Sequence, residues 1–251
     1  MSDSHPLTGD FLRGRLRHAM TARECDILED LMDAPRDLND GEALLTRGDV
    51  LEVSTMLVEG FMIRTIEKGG ERQIVAVHVP GDFVDLHAFA LKRLDHNVIA
   101  LGPATIATVG HTRLEALMAA EPELARILWF STLLDAAIHR EWISQMGHLR
   151  ADARMAHIFA ELWRRLEFIG RAKENGFASP LRQQDLADMV GATSIYVSRV
   201  LRSLREADIA EFRSGRLYAR DRRKLEGFGQ FDADYLYGEG ELHLAGALRG
   251  R

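Results

Sequence analysis

Leu181-Arg-Gln-Gln-Asp-Leu-Ala-Asp-Met-Val-Gly-Ala-Thr-Ser-Ile-Tyr-Val-Ser-Arg-Val-Leu-Arg-Ser-Leu-Arg205 reads as two short helices joined by a tight turn. In the first, Leu186, Met189 and Val190 form an inward face and Ala187 is small enough for a close helix crossing. Asp185 falls in the first turn, where the peptide dipoles favour a carboxylate. Gly191 supplies a residue that takes positive φ at a helix end. Thr193 is a credible N-cap for the second helix, whose Val197, Val200, Leu201 and Leu204 return inward at helical spacing. Ser194, Tyr196, Ser198, Arg199, Arg202 and Arg205 are left pointing outward. Hydroxyls and guanidinium groups on one exposed helix face are what base edges and phosphates in a major groove require. The plainer alternative is a basic solvated helix, although a helical hairpin has no need of such a face.

Downstream, Ile209 to Phe212, a turn at Arg213-Ser-Gly215, and Arg216 to Ala219 form a hairpin with a basic tip, resembling a wing. Arg213 or Arg216 on the DNA backbone would add affinity without sequence information. Arg182 is a poor N-cap for the first helix but lies within reach of a phosphate. A short helix from Arg222 to Phe228 closes this part. The tail after Gly227 lacks periodicity and is left unassigned and peripheral.

Upstream, an amphipathic helix fits Asp152 to Ile169, with Met155, Ile158, Phe159, Leu162, Trp163 and Leu166 on one face and Gly170 closing it. Before it, a long helix is expected from Pro122, near the first helical position, to about Leu149. Thr112 is read as the cap of a shorter helix ending near Ala120. Within the long helix Leu124, Leu128, Ser131, Asp135, Ile138, Trp142, Gln145 and Leu149 recur at steps of four and three. That stripe reads as a dimer seam with Leu124, Leu128, Ile138 and Trp142 as its apolar members. The alternative is a helix packed on its own β domain. From about residue 36 to 110, short apolar runs alternate with glycine turns, which reads as antiparallel β structure. Phe61 to Ile66 and Gln73 to Val79 flank a hairpin turn at residues 67–71.

At 251 residues and 46% apolar, the chain has room for two domains and a sizeable core. Its net charge of −6 is unevenly spread. Residues 1–149 carry 14 positive and 23 negative side chains, whereas residues 150–227 carry 16 and 11. A basic module joined to an acidic one fits a division in which only the former meets phosphates. No apolar run approaches the roughly 20 residues of a membrane span, and the polar start lacks a signal sequence. The expected location is the cytoplasm. The single cysteine, Cys25, is read as a buried or idle thiol and excludes an internal disulfide or a thiolate-ligated cluster.

Taken in this order, the chain resembles the Crp-Fnr family of bacterial regulators over most of residues 20 to 227. Besides the helix-turn-helix, Pro80-Gly-Asp-Phe83 looks like that family's turn before its effector cassette. The resemblance implies an α+β fold: a jelly-roll-like β-roll related to cyclic-nucleotide-binding domains over 1–121 and a dimerisation helix over 122–149. A winged helix-turn-helix over 150–227 and a tail over 228–251 would follow. It implies double-stranded DNA and a second copy of the chain as partners, and RNA polymerase if the regulator activates. Two departures bear on what is sensed. Where relatives that bind cyclic AMP carry a Gly-Glu pair and later an Arg-Ser or Arg-Thr pair, this chain reads Val84-Asp85-Leu86-His87 and Leu94-Asp95-His96-Asn97. Asp95 beside a cyclic phosphate would repel it, which argues against cyclic AMP. The N-terminal cysteine cluster of the oxygen-sensing branch is missing. In the recognition helix Arg199 matches a family arginine, while Ser194 and Ile195 occupy the positions of an Arg-Glu pair, so the half-site should differ.

Asp85, His87, Asp95 and His96 are the candidate effector-pocket residues, for an effector whose identity is left open. Together with His78 they raise a metal, haem or protonation switch, but scattered histidines on a β surface are more often solvated, and neither metal nor cofactor is expected. No enzyme motif is present: there is no Gly-rich phosphate loop, nucleophile elbow or His-x-His pair. The competing reading is an effector- or nucleotide-binding module whose C-terminal domain contacts protein rather than DNA.

Overall fold

A computed structural model describes residues 4–238, and its architecture is α+β. Helix α1 (Ala22–Leu31) opens with a reciprocal cap: Thr21 accepts from the Glu24 N–H, and the Glu24 carboxylate accepts from the Thr21 N–H at 2.6 Å. Five strands follow: β1 (Arg36–Leu38), β2 (Ala43–Leu45), β3 (Val53–Lys68), β4 (Glu71–His78) and β5 (Asn97–Gly110). They make one antiparallel sheet in the order β1-β5-β3-β4, with β2 also on β5. The β3–β4 hairpin turns at Gly69-Gly70, both with positive φ, as a tight two-residue turn requires.

Two of these strands are far longer than the short runs read from sequence, because bulges let them bend instead of ending. The β3–β5 register shifts on both sides of Glu59. Gly60 sits in the bend at φ +85°, where a Cβ would come within 2.4 Å of the Pro103 carbonyl oxygen. The curled sheet encloses one apolar cluster that includes Leu57, Met62, Val98 and Ile106. Its other face packs Met56, Ile63 and Val77 into a second cluster with the helices. Burial on both faces is why β3 reads as nearly continuous apolar runs. Helix α2 (Ala88–Leu91) lies in the β4–β5 connection.

Helix α3 (His111–Ala120) starts one residue earlier than Thr112 and has Gly110, without a side-chain cap, at its N-cap. Pro122 opens α4 (Pro122–His148), the 27-residue helix the sequence foretold. The seam assignment needs correcting. Leu124, Leu128, Ile138 and Trp142 are buried inside the chain itself, none more than 9% exposed, in the cluster that also takes in residues of the sheet and of α5 (Ala151–Phe168). The polar members of that stripe face the same way: Asp135 pairs with Arg64 of β3 at 3.0 Å. The outward stripe is instead Trp129, Leu133, Ala136, Arg140 and Ile143, also at steps of four and three. Trp129 is 65% and Ile143 70% exposed.

After α5 come β6 (Gly176–Ala178), α6 (Gln183–Val190), α7 (Ser194–Glu206), β7 (Glu211–Arg213), β8 (Arg216–Tyr218) and α8 (Arg222–Phe228). The three short strands form a second sheet in the order β6-β8-β7. Residues 229–238 are not peripheral. Tyr235 donates to Glu161 Oε2 at 2.8 Å, Tyr237 packs edge-on against Phe130, and the Leu236 carbonyl accepts from Arg15 Nε at 2.9 Å. Residues 239–251 of the tail lie outside the described residues. The same Glu161 accepts from Trp142 Nε1, and Arg165 bridges Glu161 to Asp82 at 3.1 and 2.7 Å. Burial by itself would raise the Asp82 carboxyl; Arg165 and His78 beside it hold it well below its ordinary value. This buried network ties the sheet, α4, α5 and the tail together. No described helix is long and apolar enough to cross a membrane.

Candidate nucleic-acid interface

Helix α6 ends at Gly191, in the left-handed conformation at φ +63°, and α7 begins after Thr193, whose Oγ1 accepts from the Tyr196 N–H at 3.2 Å. Thr193 therefore works as the cap. Val197, Val200 and Leu204 are buried and Leu201 half-buried, while Tyr196, Ser198, Arg199, Arg202 and Arg205 are exposed. Ser194 is half-buried. Its Oγ is engaged with Gln184, and its carbonyl accepts from Gln183 Nε2 at 2.7 Å, which locks the start of α7 to the start of α6.

The wing forms as read, with Arg213 opposite Arg216 across a Ser214-Gly215 turn. Gly215 is needed there, since a Cβ would fall 2.2 Å from the Ser179 carbonyl oxygen. A cleft of about 320 Å³ between α7 and the wing gathers Ser198, Arg202, Arg205 and Arg213. Arg199 and Arg216 are exposed outside it. Among the described residues, none of these five arginines is drawn into an ion pair, so their donors remain available. Arg182 differs: its guanidinium pairs with Asp40 of the N-terminal sheet domain at 2.5 Å, although the side chain stays 70% exposed. Ile195, 71% exposed at the first turn of α7, was not among the expected contacts. An apolar side chain left in water on that face was the available signal, a methyl-bearing group suited to a thymine methyl.

On the other domain, three of the four pocket candidates come together. His87, Asp95 and His96 line a cavity of about 630 Å³ between the sheet, α4 and α6, with the two imidazole rings 5.5 Å apart. Asp85 does not line it and is corrected to a structural residue. It is fully buried, and its Oδ1 accepts from the Thr55 N–H at 2.5 Å while Oδ2 has no partner. Burial outweighs that hydrogen bond and pushes Asp85 up to about 7. His87 and His96 are lowered to about 4, by burial first and then by the Arg64 guanidinium. Both rings are thus neutral near pH 7, which removes them as a protonation switch there. Among the described residues no three histidine, cysteine, aspartate or glutamate side chains are grouped to hold a metal ion. Cys25 is buried and its thiol raised by that burial.

Comparison with known proteins covers both halves. Residues 153–228 match the family described as Crp-like helix-turn-helix domain, and residues 35–121 match the cyclic nucleotide-binding domain. The chain is 25% identical over 195 residues to the transcriptional activator protein FnrA of Stutzerimonas stutzeri, covering 77% of this chain and 79% of that one. It is 27% identical over 201 residues to the transcriptional activator protein FnrL of Cereibacter sphaeroides, covering 76% and 79%. The solved structure of FixK2 from Bradyrhizobium japonicum superposes with a TM-score of 0.71 at 24% identity, over 78% of this chain and 96% of that one.

Proposed function

Because this chain belongs to the Crp-Fnr family of bacterial regulators of transcription, we propose that it binds an inverted-repeat operator as a homodimer. Two copies pair through the outer stripe of α4, centred on Trp129, Leu133 and Ile143, and set the two α7 helices into adjacent major grooves. Half-sites then lie about one helical turn, roughly 34 to 36 Å, apart. The observation that carries the reading is the exposed face of Tyr196, Ser198, Arg199 and Arg202 on a capped helix, with its arginines free of carboxylate partners. Arg199 reads a guanine edge. Arg202, Arg205 and the wing residues Arg213 and Arg216 follow the phosphate backbone. Arg182 joins them once its pair with Asp40 opens. The N-terminal domain senses a small molecule other than cyclic AMP, since Leu94-Asp95 stands where a phosphate would need a cation. Where the regulator activates, RNA polymerase is the further partner. A cytoplasmic location and the absence of enzymatic activity follow from the same reading.

Selection of duplexes from a random pool tests the proposal. Recovery of a two-fold-symmetric sequence supports it, and failure to enrich any duplex over the starting pool overturns it.

A further inference from the structure

The cavity between the sheet, α4 and α6 holds donors that nothing in the chain satisfies. Gln145, 2% exposed on the inner stripe of α4, has its Nε2 without a partner. So do Nε of Arg154, on α5, and Nε of Arg64, on β3. All three residues line the cavity. An unsatisfied buried donor costs on the order of 1–3 kcal/mol, so an acceptor that came within reach of these side chains would be held there. The lining acids do not supply it. Asp135 is paired with Arg64, Asp188 with Arg72 and Asp95 with His96. Arg154 has no carboxylate partner among the described residues; its NH2 donates to the Val190 carbonyl at the end of α6, 2.7 Å away. Ile66, Ile74, Val75, Trp142, Ile158 and Met189 give the cavity an apolar stretch of wall, and Gln73, Thr132, His139 and Arg140 add polar groups elsewhere in the lining.

We propose that this cavity binds a small amphipathic monocarboxylate, its two oxygens held by Gln145 Nε2 and Arg154 and its apolar body against Trp142, Ile74 and Met189. The three lining arginines, Arg64, Arg140 and Arg154, match the three lining aspartates in number, so the site takes on one added negative charge more readily than the two of a phosphate dianion. The volume of about 630 Å³ suits a ligand of ordinary metabolite size. Because Arg154 also holds the last turn of α6, an occupant there touches the group that fastens the helix-turn-helix. The inference deepens the reading of the N-terminal domain as a sensor and rests on it.

Titration calorimetry of the full chain, without DNA, tests it with 2-naphthoate and octanoate, with 2-naphthamide and octanamide, and with cyclic AMP. The expected result is saturable binding of at least one acid, with its amide roughly tenfold weaker. Gln145→Met, which replaces the unsatisfied amide with an apolar side chain of similar length, should leave the melting temperature unchanged or raised. It should also weaken the acid roughly fivefold or more. Arg154→Met should weaken it as well. No saturable binding of either acid, equal binding of acid and amide, unchanged affinity in folded Gln145→Met, or displacement of the acid by cyclic AMP would each overturn the proposal. Since the readout contains no duplex, failure here leaves the DNA-binding reading standing, and a failed duplex selection leaves the calorimetry interpretable.

Discussion

Arg199 stands exposed on α7 with no carboxylate partner among the described residues, so replacing it with alanine removes a donor fork and nothing the fold depends on. Arg199→Ala should lower affinity for the selected operator by roughly 1–3 kcal/mol while changing binding to unrelated duplex far less. Equal losses on both, measured by gel shift at one salt concentration, would contradict a base-reading role. Asp85 gives a prediction of another kind. Its folded pKa is raised to about 7 by burial, so the folded chain keeps a proton that the unfolded chain releases near pH 4. Its contribution is complete below about pH 4 and is lost as pH rises through about 7, up to a limit of about 4 kcal/mol. His87 and His96, lowered to about 4, act oppositely, stability falling as pH drops from about 6.5 toward 4. Thermal melts of Asp85→Asn against the parent chain isolate the carboxyl: the variant should gain relative stability between pH 5 and pH 8, about where the carboxyl titrates. A constant difference across that interval would refute the assignment. Asp85 was legible in the sequence as an acid near the effector cassette. Its role was not, because only its placement behind Thr55 decides whether a carboxyl is solvated or dry.

Among the secondary-structure elements, the helix-turn-helix was the most legible and the long helix the least. Cap, turn glycine and inward apolar positions of α6 and α7 all fall within 25 residues, and each acts through neighbours one turn away. Helix α4 exists as expected, but its sequence carries two stripes at steps of four and three. Both satisfy the period, and only the sheet that meets one of them settles which is left for a partner. Leu124, Leu128, Ile138 and Trp142 are spent inside the chain, whereas Trp129, Leu133 and Ile143 face water. Leu133→Asp combined with Ile143→Asp should therefore convert a dimer into a folded monomer, since both side chains are exposed in the single chain and their loss opens no cavity. Sedimentation velocity reads the mass and circular dichroism the fold. A dimer that persists in the double variant would place the interface elsewhere.

Long-range polar contacts join the parts of the chain. Arg72, at the start of β4, donates to Asp188 and Asp185 of α6 at 2.7 Å each, and Arg165 ties α5 to Asp82 of the sheet domain. Tyr235 closes the buried end of this network by donating to Glu161 and meeting His157 Nε2 at 3.1 Å. Tyr235→Phe should thus destabilise the chain by about 1–3 kcal/mol, because the carboxylate loses a donor it cannot replace from water. Chemical denaturation measures this, and a loss well under 0.5 kcal/mol, about what an ordinary surface substitution costs, would mean the tail does not support the core. Such contacts span gaps of 74 to 116 residues, and no local pattern announces them. Amino-acid order alone determined the β-then-α succession and the exposed, arginine-bearing face of α7, because period, cap and turn act over a few residues. Tertiary structure alone decided which stripe of α4 is free, that Asp85 is a dry structural acid, that the tail joins the core, and that Gln145 is left with an unmet donor. Each of those depends on which distant surface closes over a side chain, and so on desolvation and pairing between segments the local sequence does not bring together.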